Sequence, residues 1–219
     1  MSEMLQPEGG LMMKLTQALE MFGVGLLWVL CSLPVVTAGA AFCAAYYTMT
    51  KTVRGFRGYL IREYFRSFRD NFIQATVLWL LYAVSLAVIS ADLYLSLGMR
   101  QTTAAAYPKP VMIFRCLLFI ALAICSVVTV YALAYTARFS QKTGTIIKNS
   151  VLMSLRHLPS SALILAILVF SAWVIAGIPL LVLVLAGVDC MIFSVVLERI
   201  FYRYMSDEDR AMEDRRRAG

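Results

Sequence analysis

Leu30-Cys31-Ser32-Leu33-Pro34-Val35-Val36-Thr37-Ala38-Gly39 interrupts the first long apolar stretch of the chain, Leu15 to Tyr47, with proline, threonine and glycine at the depth of a bilayer. Proline removes a backbone donor and clashes with the preceding turn, and in lipid the carbonyls it frees must find partners inside the protein. The break therefore faces protein or lines a cavity. Two arrangements satisfy it: one span broken at Pro34, or a re-entrant hairpin that returns to the side it came from. Pro34, Thr37 and Gly39 are accordingly candidate cavity or packing residues.

Outward from that stretch the chain stays apolar. Of its 219 residues 61% are hydrophobic and only 15% charged, and its mean hydropathy is +0.76. A soluble domain of this size does not tolerate such a balance. Segments near the roughly 20 residues a bilayer requires occur at about 22–50, 71–97, 110–137, 160–177 and 178–201. The fold class that follows is all-α: a polytopic helical membrane bundle of about five transmembrane helices with a Pro-broken first span. It forms a single membrane domain over 1–219, with 202–219 as a tail. Ala176-Gly177-Ile178-Pro179 marks a tight, uncharged turn between the last two spans.

The formal charge of +7 comes from 20 basic and 13 acidic residues, and the bases sit between apolar spans. That distribution fits topology signals and headgroup attraction rather than nucleic-acid binding. Lys51, Arg54, Arg57, Arg62, Arg66 and Arg69 follow the first span, and Arg138, Lys142, Lys148 and Arg156 follow the third. The intervening loop has only Arg100 and Lys109. Both basic segments and the C-terminal tail are thus expected in the cytoplasm. Five spans place the N-terminus outside; the hairpin arrangement returns it to the cytoplasm.

Between Gly55 and Phe72, Ile61, Tyr64, Phe65, Phe68 and Phe72 recur at helical spacing. Arg62, Arg66 and Arg69 take the other side. This predicts an amphipathic cytoplasmic interfacial helix, with Arg62, Phe65, Arg66, Phe68 and Arg69 as candidate lipid-facing or partner-docking residues. A weak repeat links Tyr47-Thr48-Met49-Thr50-Lys51 with Tyr135-Thr136-Ala137-Arg138, and Ser67-Phe68-Arg69 with Ser154-Leu155-Arg156. Both basic segments lie on one side, so a true duplication would be a parallel one.

Three acids fall within spans: Asp92, Asp189 and Glu198. Intramembrane ionisable residues are costly and are candidates for function. Asp92 and Glu198 lie near span ends, where Glu198 can pair with Arg199 or Arg203. Asp189 lies about a dozen residues into its span, roughly 18 Å along the helix, and is a candidate cavity residue. A structural hydrogen bond to a nearby hydroxyl is the competing reading. The five cysteines have no C-x-x-C spacing and the single histidine, His157, no ligand partners, so neither a metal site nor a disulfide framework is expected. No Walker loop, H-E-x-x-H or G-x-S-x-G occurs. A non-enzymatic protein without cofactors is expected, with the lipid bilayer as its first partner.

Trp28, Leu33-Pro34, Thr37, Gly39 and Ala44, followed by Lys51 and the run ending Phe65, Phe68, Asn71 and Phe72, resemble the YesL family of bacterial membrane proteins, a domain family of unknown molecular function. Where that family usually carries Asn three residues before the tryptophan, this chain has Gly25. Members tend to be encoded beside carbohydrate importers of the ATP-binding-cassette (ABC) type and glycoside hydrolases. The resemblance implies a bacterial plasma membrane protein acting as an accessory subunit or assembly factor for such an importer. Its partners would be the importer's permease or ATPase subunits. The alternative is a small stand-alone transporter or channel with a cavity at the Pro34 break and Asp189, for a sugar or another ligand.

Overall fold

The computed structural model describes residues 7–53, 59–98, 108–139 and 141–204. Among these residues there are seven α-helices and no strand: α1 (Pro7–Ser32), α2 (Ala38–Thr48), α3 (Leu60–Gly98), α4 (Pro108–Arg138), α5 (Thr143–Arg156), α6 (Leu158–Gly177) and α7 (Val182–Tyr204). Short 3-10 turns occupy Val35–Thr37 and Pro179–Leu181, and a π turn extends α2 over Met49–Val53. Five stretches are long and apolar enough to cross a membrane: Leu15–Ser32, Leu60–Ser96, Pro110–Arg138, Leu158–Gly177 and Pro179–Tyr204. The protein is a multi-pass helical membrane bundle. The expected tail lies outside the described residues beyond Tyr204, as do Arg54, Arg57 and Arg100.

At Pro34 the chain turns back. Gln17 of α1 donates to the carbonyl of Val53 at 3.3 Å, and Val24 shares a buried cluster with Ala44, Ala45, Met49 and Val53. These pairings make α2 antiparallel to α1. The 22–50 stretch, expected as one broken span, is therefore two helices, the hairpin arrangement the sequence also allowed. Its physical cause is local: Pro34 leaves helical geometry at φ −76°, ψ 103°, and its ring cannot continue the ladder. The Thr37 hydroxyl lies 2.6 Å from the Cys31 carbonyl and 2.7 Å from that of Pro34, and the Thr37 N–H donates to Pro34 at 2.8 Å. Trp79 of α3 donates its indole N–H to the Val35 carbonyl at 2.8 Å.

Helix α2 then runs through the middle of the bundle. With its π turn it covers 16 residues (38–53), roughly 24 Å, and Ala40, Ala41, Cys43, Ala44, Ala45, Tyr46 and Met49 are all buried. Small side chains let neighbouring backbones approach, which is how helices associate where lipid removes the hydrophobic drive. A Cβ on Gly39 would lie 2.5 Å from Trp79 Cβ and 2.6 Å from the Ala75 carbonyl, so α2 and α3 touch nearly backbone to backbone. Lys51 and Glu63, 2.8 Å apart, tie the other end of this antiparallel pair. Cys43 Sγ donates to the Leu133 carbonyl of α4 at 3.0 Å, Tyr82 of α3 meets Ser126 of α4 at 3.1 Å, and Ser161 of α6 meets Tyr131 of α4 at 3.4 Å. Thus α2, α4 and α7 run one way, and α1, α3 and α6 the other.

The bundle closes between its first and last helices. A Cβ on Gly25 would stand 2.1 Å from the Leu183 carbonyl, and one on Gly187 2.2 Å from the Met21 carbonyl. Only hydrogen fits at either place. Because α7 is antiparallel to α1, the start of α1 and the end of α7 lie at the same end of the bundle. That end also carries Lys51, Arg62, Arg66, Arg69, Arg138, Lys142, Lys148, Arg156, Arg199 and Arg203, the asymmetry expected of a topology signal.

The amphipathic segment around Arg62 is not a separate helix laid along the surface. It forms the first turns of the 39-residue α3, about 58 Å long, roughly twice what hydrocarbon thickness requires. No helix breaker lies between Leu60 and Gly98, so nothing ends the helix at the interface. The corresponding second segment does break. His157 has φ −113°, ψ 55° between α5 and α6, with Pro159 following, and the Ser154 carbonyl near this break accepts from the Ser161 hydroxyl at 2.7 Å. Burial, Arg203 and Arg156 together push the His157 imidazole below its ordinary value, and its Nε2 lies 3.2 Å from the Tyr204 hydroxyl. The segments that carry the similar sequences, α2–α3 and α4–α5–α6, run in the same order and direction, differing at this kink.

Two outcomes check this architecture. Gly25→Ala or Gly187→Ala should force α1 and α7 apart and cost about 1–3 kcal/mol or more, seen as a lowered Tm and aggregated material in detergent. Gly177→Ala, with open space around its Cβ, should leave Tm unchanged. Reporters fused to the two termini should register the same side of the membrane, whereas opposite sides would contradict the hairpin.

Candidate functional site

A cavity of about 620 Å³ lies among α1, α2, α3, α4, α6 and α7. Its walls are mostly apolar: Trp28, Phe42, Trp79, Phe119, Leu133, Leu168, Ile175 and Phe193 contribute. Volume and lining are typical of small-molecule sites. The polar groups are few, and most are already committed. Tyr82 and Ser126 meet at 3.1 Å, Ser126 also reaches the Leu122 carbonyl at 2.9 Å, and Thr129 donates to the Cys125 carbonyl at 2.8 Å.

Three groups are left. Trp28 Nε1 is a buried donor with no partner, and as an indole nitrogen it can only donate. Asp189 of α7 faces the cavity, half-buried. The Ser171 hydroxyl of α6 is near enough to act on the Asp189 carboxylate, although the contact falls short of full hydrogen-bond geometry. Among the described residues no Lys, Arg or His lines the walls. The arrangement is therefore an apolar chamber with one acid and no base. Among the described residues no cluster could hold a metal ion.

Phe42 and Phe193, with ring centroids 6.3 Å apart, lie on the side of the chamber towards the basic end. One turn beyond them sits a buried ionic group. Glu198 is 6% exposed, accepts from the Tyr46 hydroxyl at 3.3 Å, and lies 3.4 Å from the Arg138 guanidinium. Spacing along α7 points to Arg199 or Arg203 as its partner. The contacts from Tyr46 and Arg138 arrive from α2 and α4, across the bundle, because α7 buries this face against both.

Of the residues singled out in the sequence, Asp189 lines the chamber. Pro34, Thr37 and Gly39 form the hairpin tip and its contact with α3 and do not line it, though Ala38 does. Arg62, Arg66, Arg69 and Phe65 are exposed on α3. Arg66 approaches Asp70 at 3.8 Å, and Phe68 is half-buried, stacked on buried Tyr64 at 6.5 Å. Sequence reasoning passed over Ser171 and the indole N–H of Trp28, which share no motif with Asp189. It also passed over Arg115, which donates to the Ser96 carbonyl in the last turn of α3, where a cation complements the helix dipole. An intramembrane base at 115 was a signal available in the sequence.

A family model described as "Protein of unknown function, DUF624" matches residues 21–93, which span most of the α1–α2 hairpin and most of α3. This part of the chain is similar to that family. No curated protein and no solved structure matches the chain.

The Glu198 group is open to direct measurement. Arg138→Ala removes a cation that faces a buried carboxylate and should destabilise towards the lower end of about 3–5 kcal/mol. Tyr46→Phe, which removes one hydrogen bond to a charged acceptor, should cost roughly 1–3 kcal/mol. A double-mutant cycle in detergent should find the two effects non-additive, and strict additivity would show that the contacts act independently.

Proposed function

We propose that this protein is a non-enzymatic membrane protein that binds a small, largely apolar molecule within the bilayer. The observation that carries this reading is the chamber of about 620 Å³ between the helices, partly open on the outer side at Phe119 and Val169, with a lone carboxylate and an unpartnered indole donor on otherwise apolar walls. It belongs to the transporter-or-channel alternative rather than to a passive scaffold. The chamber does not suit a sugar. Its free polar groups are too few to meet a ring of hydroxyls, and each hydroxyl buried without a partner costs about 1–3 kcal/mol. The basic end is assigned to the cytoplasm by the positive-inside rule, with both termini inside a bacterial plasma membrane.

A second reading follows from α3. Ile61 and Phe65 are exposed beside Arg62, Arg66 and Arg69, on a helix long enough to stand clear of the hydrocarbon. The YesL resemblance implies a carbohydrate importer of the ABC type as the partner, and this strip is the surface on which a permease or ATPase subunit would dock. Recovery of importer subunits with the wild type, and their loss with Phe65→Ala/Arg66→Glu, is the outcome expected. Equal recovery with that variant would remove the strip from consideration.

For the chamber, protein purified into nanodiscs should carry an extractable small molecule, identified by mass spectrometry against empty discs. Ala186→Trp, which fills the chamber from α7, should lower its occupancy at least tenfold, whereas Trp173→Ala on the lipid-facing side of α6 should not. Unchanged occupancy in Ala186→Trp would overturn the reading.

A further inference from the structure

We infer that the chamber selects an organic cation: one positive centre on an apolar body that rings can surround. The inference rests on the binding reading above and deepens it by assigning the charge of the ligand.

A carboxylate inside a membrane bundle is costly unless a cation faces it. Asp189 meets no Lys, Arg or His among the residues that line the chamber. The buried ionic group further along α7 does not serve it. Arg138 is engaged by Glu198, nine residues from Asp189 in sequence and about 14 Å along the helix. The Ser171 hydroxyl nearby makes no hydrogen bond of full geometry, and a neutral hydroxyl does not neutralise a carboxylate. The missing positive charge is one a ligand can bring.

The walls say what the rest of that ligand is. Trp28, Phe42, Trp79, Tyr82, Phe119 and Phe193 all contribute rings, and aromatic faces attract cations, most strongly where water is excluded. A metal ion fits poorly, because a single carboxylate and a hydroxyl cannot replace its hydration shell. An anion would meet Asp189 with like charge. A lipid acyl chain would satisfy the walls and leave the carboxylate without a partner. A cation carrying apolar bulk answers both the acid and the rings.

Three probes of similar size and different charge test this on the intact protein in phosphatidylcholine nanodiscs: tetraphenylphosphonium, tetraphenylborate and neutral triphenylphosphine oxide. Tetraphenylphosphonium should bind saturably, about one per chain, with affinity lowered at least tenfold in Asp189→Asn and largely retained in Asp189→Glu. Tetraphenylborate should show only the partitioning seen with empty discs. If the borate or the oxide binds as tightly as the phosphonium, or Asp189→Asn changes nothing, the cation inference is overturned. The binding reading survives that result provided Ala186→Trp abolishes the binding. Saturable binding by none of the three overturns the cation inference. The binding reading falls with it only if the nanodisc-purified protein also carries no molecule that Ala186→Trp displaces. The three-probe comparison needs no variant, so a poorly assembled Asp189→Asn does not weaken it.

Discussion

A carbonyl released from a helix inside a bilayer has no water to turn to, and the rest of this structure depends on how the chain meets that constraint at Pro34. The Thr37 hydroxyl and N–H take the carbonyls of Cys31 and Pro34, and the Trp79 indole takes that of Val35. With these satisfied the chain can reverse within five residues. The reversal delivers the Ala-rich α2 into the centre, and α2 is the element that α1, α3, α4 and α7 all share. Trp79 links the two steps: its indole holds the tip, and its Cβ sits against Gly39, fixing the level at which α2 and α3 cross.

Close packing around α2 and an open chamber beside it follow from the same distribution of side-chain size. Towards the basic end, Tyr46, Tyr131, Tyr135, Phe193 and Phe201 fill the space between helices, and Tyr135 packs edge-on against Phe201 at 5.8 Å. Towards the hairpin tip α2 offers only Ala38, Gly39, Ala40 and Ala41, which reach few atoms beyond their own backbone. Helix α6 forms the outer wall there and buries only Ile164 and Ser171. It is held at its basic end by Ser161 on Tyr131 and at the other by the short turn to α7. Void and wall are therefore both consequences of small residues on one half of α2.

The spans were legible because hydropathy and length are one-dimensional signals. Whether 22–50 held one helix or two was not. An apolar run with a central proline has the same composition in either case, and the only base before it, Lys14, was too little to orient it by charge. The decisive contacts, Gln17 with Val53 and Gly39 with Trp79, join residues far apart in the chain. The helical character of the Arg62 segment was readable from its period. Its continuity with the span was not, because periodicity describes which face a residue takes and not whether the axis bends. Asp189 stood out as an acid in an apolar run, whereas Ser171 and Trp28 acquire meaning only once α6 and α1 are brought beside α7. Glu198 shows the same limit: Arg138, 3.4 Å from it, lies on another helix, and no spacing rule along α7 leads there.

The glycine contact between α1 and α7 has a temporal side. Hairpin α1–α2 and the pair α2–α3 join neighbours in sequence, so they can form while the chain is still being made, as domains commonly do during synthesis. The face of α1 that holds Gly25 has no partner until α7 arrives, some 160 residues later. Through most of biogenesis that face is an unsealed seam within the membrane, and a chain that stopped before Gly187 would keep it open. Helix α7 completes the packing of α1, so assembly of this bundle waits until the chain has been made at least past Gly187.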